Sequence, residues 1–169
     1  MNAQELRAAQ APLKALYKEN PAAALVTMQV RGRIGDDAPT VRIETGHGKV
    51  LAGLHPAAGG NGNEACSGDM LLEAIASCAG VTLKAVATAM GIELRDARVI
   101  AEGDFDIRGT LGIVKDVPIG ISAIRLRFEY DSDASAAQLE TLTSLAERYC
   151  VIFQTLRNPP QISVSHGPA

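Results

Sequence analysis

Between Ser67 and Met90 the chain reads S-G-D-M-L-L-E-A-I-A-S-C-A-G-V-T-L-K-A-V-A-T-A-M. The pattern predicts one long helix. Ser67 stands where a cap is needed, Asp69 puts a negative charge into the first turn, and Gly91 follows the last residue as a stop. A continuous helix over Gly68–Met90 is about 35 Å long at 1.5 Å per residue. From Met70 to Val81 only Glu73 and Ser77 carry polar side chains, so the helix has no wide solvated face and must be enclosed. Glu73, Ser77 and Lys84 interrupt the run well short of the ~18 uninterrupted apolar residues of a membrane span, which makes protein the expected cover. Ala74, Ala76, Ser77, Ala79 and Gly80 are small enough to let another backbone approach closely. In the middle of them sits Cys78.

The rest of the chain bounds what that thiol is for. Its 169 residues are 47% hydrophobic and 21% charged, a globular composition of ordinary domain size. The expected organisation is a helical arm over residues 1–20 followed by a single domain over 21–169. Lysines and arginines are scattered and the net charge is −3, so neither a nucleic acid nor an anionic membrane is an expected partner. The first residues, M-N-A-Q-E-L-R-A-A-Q, lack the apolar segment of an export signal, and a cytoplasmic location is expected. Cys66, Cys78 and Cys150 are an odd number, which points to reduced thiols rather than a disulfide framework. With no C-x-x-C, and His47, His55 and His166 far apart, no metal site and no cofactor are expected.

Residues Ala3–Lys18 read as an amphipathic helix with Leu6, Ala9, Leu13, Leu16 and Tyr17 on one face and a kink or split expected at Pro12. Ala23–Arg33, Thr40–Glu44 and Lys49–Leu54 are strand-like and separated by short turns, the mark of an antiparallel meander. The glycine-rich loop after them has no G-K-[ST], so it is a crossing onto the central helix and not a phosphate loop. Past Met90 the run from Ile92 to Ile107 suggests another strand. In Ile121–Tyr130, Ile124, Leu126, Phe128 and Tyr130 alternate with charged residues, as in a half-exposed strand. Ser135 and Gln138 fit a capping box that opens a helix ending near Tyr149. Cys150 begins a short second helix, Asn158-Pro159-Pro160 stops it, and Gln161–Ser165 reads as a last strand.

This order is α+β, not the alternating βαβ of a nucleotide-binding fold. One sheet of about six strands covers only part of so apolar a central helix. A homodimer is therefore expected, with the central helices near its two-fold axis.

Read alone, Cys78 is an ordinary small hydrophobe whose burial raises its pKa. Cys150 stands at a helix start, where unpaired N–H groups and the helix dipole favour a thiolate. Folding can bring the two together, but their spacing does not show that it does. Within disulfide reach they form a candidate peroxide-reducing couple: one thiolate attacks the O–O bond and the other condenses with the sulfenic acid. Such chemistry needs a cation to hold the thiolate.

L-L-E-A-I-A-S-C-A-G-V-T-L, joined to E-R-Y-C-V-I-F-Q-T-L and a final short strand, resembles the OsmC/Ohr family of osmotically inducible and organic hydroperoxide resistance proteins. The likeness runs from about Leu25 to Ser165. It implies antiparallel sheets wrapped around long central helices in an intertwined α+β homodimer, with thiol-dependent reduction of organic hydroperoxides at the interface. Cys78 matches the family's peroxidatic cysteine and Cys150 its resolving cysteine. The implied reductants are dithiols, lipoylated proteins among them. Arg33, in R-G-R-I-G, is the best match to the arginine that holds the thiolate, with Arg31 and Arg42 as rivals. Where peroxidase members carry the glutamate that pairs with it, this chain has Gly68, and the nearest carboxylate is Asp69, with Glu64 and Glu73 as alternatives. The family's C-P at the second cysteine is C-V here. Cys66 is read as incidental, with an alternative resolving role second. Ile75, Phe153 and Met70 are expected to favour greasy substrates. The competing reading is a non-catalytic module of the same architecture, holding an apolar or thiol-bearing small molecule at the dimer interface.

Overall fold

The central helix is continuous. In the computed structural model, which describes Met1–Pro168, α2 spans Ser67–Met90. Its end is a Schellman motif: Gly91 adopts φ 70, its N–H donates to the Thr88 carbonyl at 3.2 Å, and the Ile92 N–H donates to the Ala87 carbonyl at 2.9 Å. Only a residue without Cβ takes that left-handed turn without strain. Ser67 is the first helical residue rather than the cap, because the chain enters α2 directly from a two-residue strand, Ala65–Cys66.

Ahead of it lie α1 (Ala3–Glu19), a 3₁₀ turn (Pro21–Ala24), β1 (Arg31–Ile34), β2 (Val41–Thr45), β3 (Gly48–Gly53), a second 3₁₀ turn (Pro56–Ala58) and β4 (Ala65–Cys66). After it come β5 (Arg95–Asp104), α3 (Ile107–Thr110), β6 (Ala123–Asp131), α4 (Ala136–Tyr149) and α5 (Val151–Arg157). Pro12 does not split α1, which opens with an Asn2–Glu5 capping box. The expected meander is present as β1-β2-β3, with β4 added in parallel, but the strands form two sheets: β1-β2-β3-β4 and β5-β6.

The chain divides into two compact units. The first is Met1–Glu73 with Ile100–Arg127, and holds the four-stranded sheet and the opening turns of α2. On one face of that sheet Val41, Ile43, Val50 and Ala52 are partly buried; on the other stand Arg31, Arg33, Arg42, Glu44 and Lys49. Arg125 forks onto Asp104 and also meets Glu102.

The second unit contains Ala74–Val99 and the chain from Phe128 onward. Ile75, Ala79, Leu83 and Ala87, one turn apart, form the buried stripe of α2. Leu83 and Ala87 pack with Ile92 and with Leu142 and Ala146 of α4, and Phe128, Tyr130 and Leu139 close around them. By length and composition alone α2 would cross a membrane, but this stripe is covered by protein. The Ser135–Gln138 capping box is present and fixes where α4 begins. Leu142 is fully enclosed. Leu142→Ala is expected to cost about 2–5 kcal/mol, the transfer term plus the cavity, and to lower the urea midpoint without changing the slope.

Two expected strands differ. Of Ala23–Arg33 only its end is paired, and Leu25, Val26, Met28 and Val30 are 71–86% exposed. Gln161–Ser165 is in no sheet among the described residues, and Ile162 and Val164 are 82% and 94% exposed. Both segments carry strand-forming side chains, but strand character is expressed only against a partner backbone, and none is present for them here.

Candidate active site

Cys78 lies about 100° around α2 from the buried Ala79, on the flank of the stripe, which leaves its side chain half-buried. One turn along the helix, the Thr82 hydroxyl donates to the Cys78 carbonyl at 2.7 Å.

Cys150 is the single residue between α4 and α5. It is the C-cap of one and the N-cap of the other, with φ −74 and ψ 109 breaking what would otherwise be a continuous helix. Its N–H still donates to the Ala146 carbonyl at 3.0 Å, and its carbonyl accepts from Gln154 N–H at 2.9 Å. Its own side chain caps nothing and is 1% exposed.

The break frees the first N–H groups of α5, and those of Ile152 and Val151 act on the Cys78 thiol. Burial pushes this thiol up. The Ile152 N–H, the Cys150 thiol, the Val151 N–H and the Thr82 hydroxyl together outweigh it and bring Cys78 below the ordinary thiol value. Cys150 moves the other way. Burial raises it first, and although the N–H of Phe153 favours its thiolate, its hydrogen bond to Cys78 and the charge there hold its proton on. The structure thus brings the two predicted thiols together, but the helix start that was expected to activate Cys150 acts on Cys78. Cys150 is too deeply enclosed for the Phe153 and Ile152 N–H groups to prevail.

The predicted charged residues belong to the first unit. Arg33 is exposed on β1, directly opposite Arg42 of β2, and both line a surface recess of about 300 Å³ with Ile34, Gly35, Asp36, Thr40 and Leu51. Among the described residues neither arginine is in an ion pair. Asp69 is exposed in the first turn of α2, and Glu73 is exposed one turn on. Cys66 ends β4 as a free thiol. No cluster of metal-ligating side chains occurs among the described residues.

Thr82 and Gln154 were not anticipated as site residues. Each lies four positions after a predicted cysteine, the helical spacing that returns a side chain to the same face. Ile75, expected to line the site, is core at 2% exposed. The apolar groups left open near the sulfurs in the sequence are Val81, Tyr149 and Val151, at 72%, 58% and 64% exposed. The Arg148 guanidinium lies 5.6 Å from the Tyr149 ring centre.

The sequence profile of the OsmC-like protein family matches residues 60–165, more than half of the chain and both cysteines of the pair. The chain belongs to the OsmC family. Solved OsmC-fold structures share its architecture at low identity. The OsmC-like protein of Mycoplasma pneumoniae is 16% identical, with a TM-score of 0.65, over 79% of this chain and 89% of that one. An organic hydroperoxide resistance protein OsmC from Legionella pneumophila is 17% identical, with a TM-score of 0.57, over 79% and 90%. The organic hydroperoxide resistance protein OhrB of Bacillus subtilis is 18% identical, with a TM-score of 0.54, over 79% and 93%. No match to a curated protein reaches significance. At such identities the OsmC likeness establishes an α+β fold.

Proposed function

We propose that this OsmC-family chain is a thiol-dependent peroxidase that reduces organic hydroperoxides through Cys78 and Cys150. The observation that carries the reading is the opposed tuning of two adjacent sulfurs, one drawn toward thiolate and one kept protonated. The structural neighbours named for organic hydroperoxide resistance support the substrate class.

The Cys78 thiolate attacks the terminal oxygen of R–O–O–H and gives its electron pair to a new S–O bond. The O–O bond breaks, the alkoxide leaves and takes a proton to become R–OH, and Cys78 becomes a sulfenic acid. Burial still raises Cys150, but conversion of the thiolate to a neutral sulfenic acid removes the neighbouring negative charge that raised it further. Cys150 then ionises and attacks the Cys78 sulfur, water leaves, and a disulfide remains. A dithiol, such as a lipoylated protein, returns the pair to two thiols by exchange.

Arg33 and Asp69 are proposed as the cation that stabilises the thiolate and the carboxylate that orients it. The open apolar side chains Val81, Tyr149 and Val151 favour a hydrocarbon-bearing peroxide over hydrogen peroxide. The working form is proposed to be an intertwined homodimer in the cytoplasm. Unpaired, strand-forming segments just before β1 and after α5, with Val30 and Val164 open to solvent, are apolar surface that a second copy would bury. Sedimentation at micromolar concentration is expected to give one species of twice the chain mass; a monomer would remove the interface from the account.

Reduced protein is tested with cumene hydroperoxide and hydrogen peroxide, using dithiothreitol or dihydrolipoamide as reductant. The expected result is dithiol-dependent turnover with at least about tenfold preference for the organic peroxide. Thiols left unchanged by excess peroxide would leave the binding-module reading in place.

A further inference from the structure

The α4–α5 corner has a hydrogen-bond account that closes only through a side chain so far without a role. In an uninterrupted helix the Val151 N–H would donate to the Glu147 carbonyl, four residues back. The break at Cys150 separates the two. The N–H is left without a helical acceptor, and it favours the Cys78 thiolate. The carbonyl accepts instead from the Gln154 side-chain amide, with Nε2 at 2.9 Å. Gln154 is itself seated: its backbone N–H donates to the Cys150 carbonyl at 2.9 Å, and Asn158 donates from its backbone to the Gln154 carbonyl at 2.9 Å. Its side chain is partly buried, so no wide water layer competes for that carbonyl.

We propose that Gln154 is a positioning residue for Cys78: by occupying the Glu147 carbonyl it keeps the corner open and leaves the Val151 and Ile152 N–H groups facing the thiol. The inference rests on the peroxidase reading for its purpose but not for its geometry. Without the amide, the Glu147 carbonyl is left to recapture the Val151 N–H, and the helix is free to close through Cys150. Both changes draw N–H donors away from Cys78. A bond that only stiffened α5 would have no such effect on a sulfur of another helix.

The test is peptide-resolved alkylation of Cys78 by iodoacetamide as a function of pH, in the full chain. Gln154→Met keeps the length and loses the donor. Its Cys78 midpoint is expected to rise by about one pH unit, about a tenfold loss of thiolate below the midpoint. Thr155→Val is the control, since it removes a bond of ordinary length within α5, from the Thr155 hydroxyl to the Val151 carbonyl at 2.8 Å, that does not span the corner. Its midpoint is expected to match that of the unaltered chain. Gln154→Lys restores a donor and is expected to keep the low midpoint in 1 M salt, which screens its added charge. It also carries the test if the methionine variant does not fold. A Q154M profile equal to that of the unaltered chain, an equal shift in T155V, or a raised midpoint in Q154K would overturn the proposal. Disulfide formation on peroxide addition, followed in parallel, separates the two claims. If the unaltered chain forms no disulfide, the peroxidase reading fails while the alkylation profiles still decide on Gln154.

Discussion

Cys78→Ser is expected to reduce organic hydroperoxide turnover on the order of a thousandfold or more, to the rate of peroxide and dithiol alone. The size of the effect follows from the chemistry. A serine hydroxyl is not ionised near neutral pH and does not attack an O–O bond, and the neighbouring Cys150 thiol is raised rather than lowered. The substitution keeps the side chain's size on a half-buried flank of α2, so the fold should survive, and an unchanged circular dichroism spectrum with lost turnover separates chemistry from unfolding. In the unaltered protein, the rate of reaction with peroxide is expected to rise with pH and level off below the ordinary thiol range. The sign is that of a depressed pKa: the reactive form is present at lower pH than for an ordinary thiol and is lost as the pH falls through the lowered value. A rate still climbing above pH 9 would contradict it.

The second large effect is expected at Cys150. Cys150→Ser leaves the attacking sulfur in place, so the first equivalent of peroxide should still be consumed. The sulfenic acid then has no neighbour to condense with. It is expected to accumulate, to be trapped by dimedone on Cys78, and to pass to sulfinic acid in excess peroxide. Steady-state turnover with a dithiol should fall at least about tenfold, while the burst remains. The burst itself should slow slightly, because the Cys150 thiol is one of the groups that lower Cys78. If Cys66 were the resolving partner, C150S would keep turning over and Cys66→Ser would not.

Much of this architecture was readable before any coordinates. The central helix, its glycine stop and the Ser135–Gln138 capping box depend on contacts within a few residues, and all three are found, with the helix starting at Ser67 and not after it. The β1-β2-β3 meander was legible for the same reason, since short turns fix neighbours. The last strand was not: the alternation in Gln161–Ser165 states a preference for pairing but not with what, and among the described residues it pairs with nothing. The first expected strand fails over most of its length on the same ground.

At the site, the residue types were legible and the direction of activation was not. The helix start at Cys150 could be read from the sequence, but which sulfur it serves depends on how α2 lies against the corner. That is a contact between positions 72 apart, between Cys78 and Cys150, which local patterns do not encode. Gln154 was missed because its partner, the Glu147 carbonyl, is a backbone atom that exists as a free acceptor only once the helix breaks. Arg33 and Asp69 came from likeness to a family rather than from any local pattern of residues.

Peptide mapping after one equivalent of cumene hydroperoxide, with the protein alkylated under non-reducing conditions, addresses the central claim most directly. The account predicts a new cross-link joining the Cys78 and Cys150 peptides, formed in proportion to peroxide consumed and reversed by a dithiol, with Cys66 alkylated throughout. Peroxide consumed while both sulfurs remain free thiols, or a bond that leaves out either of them, would contradict it.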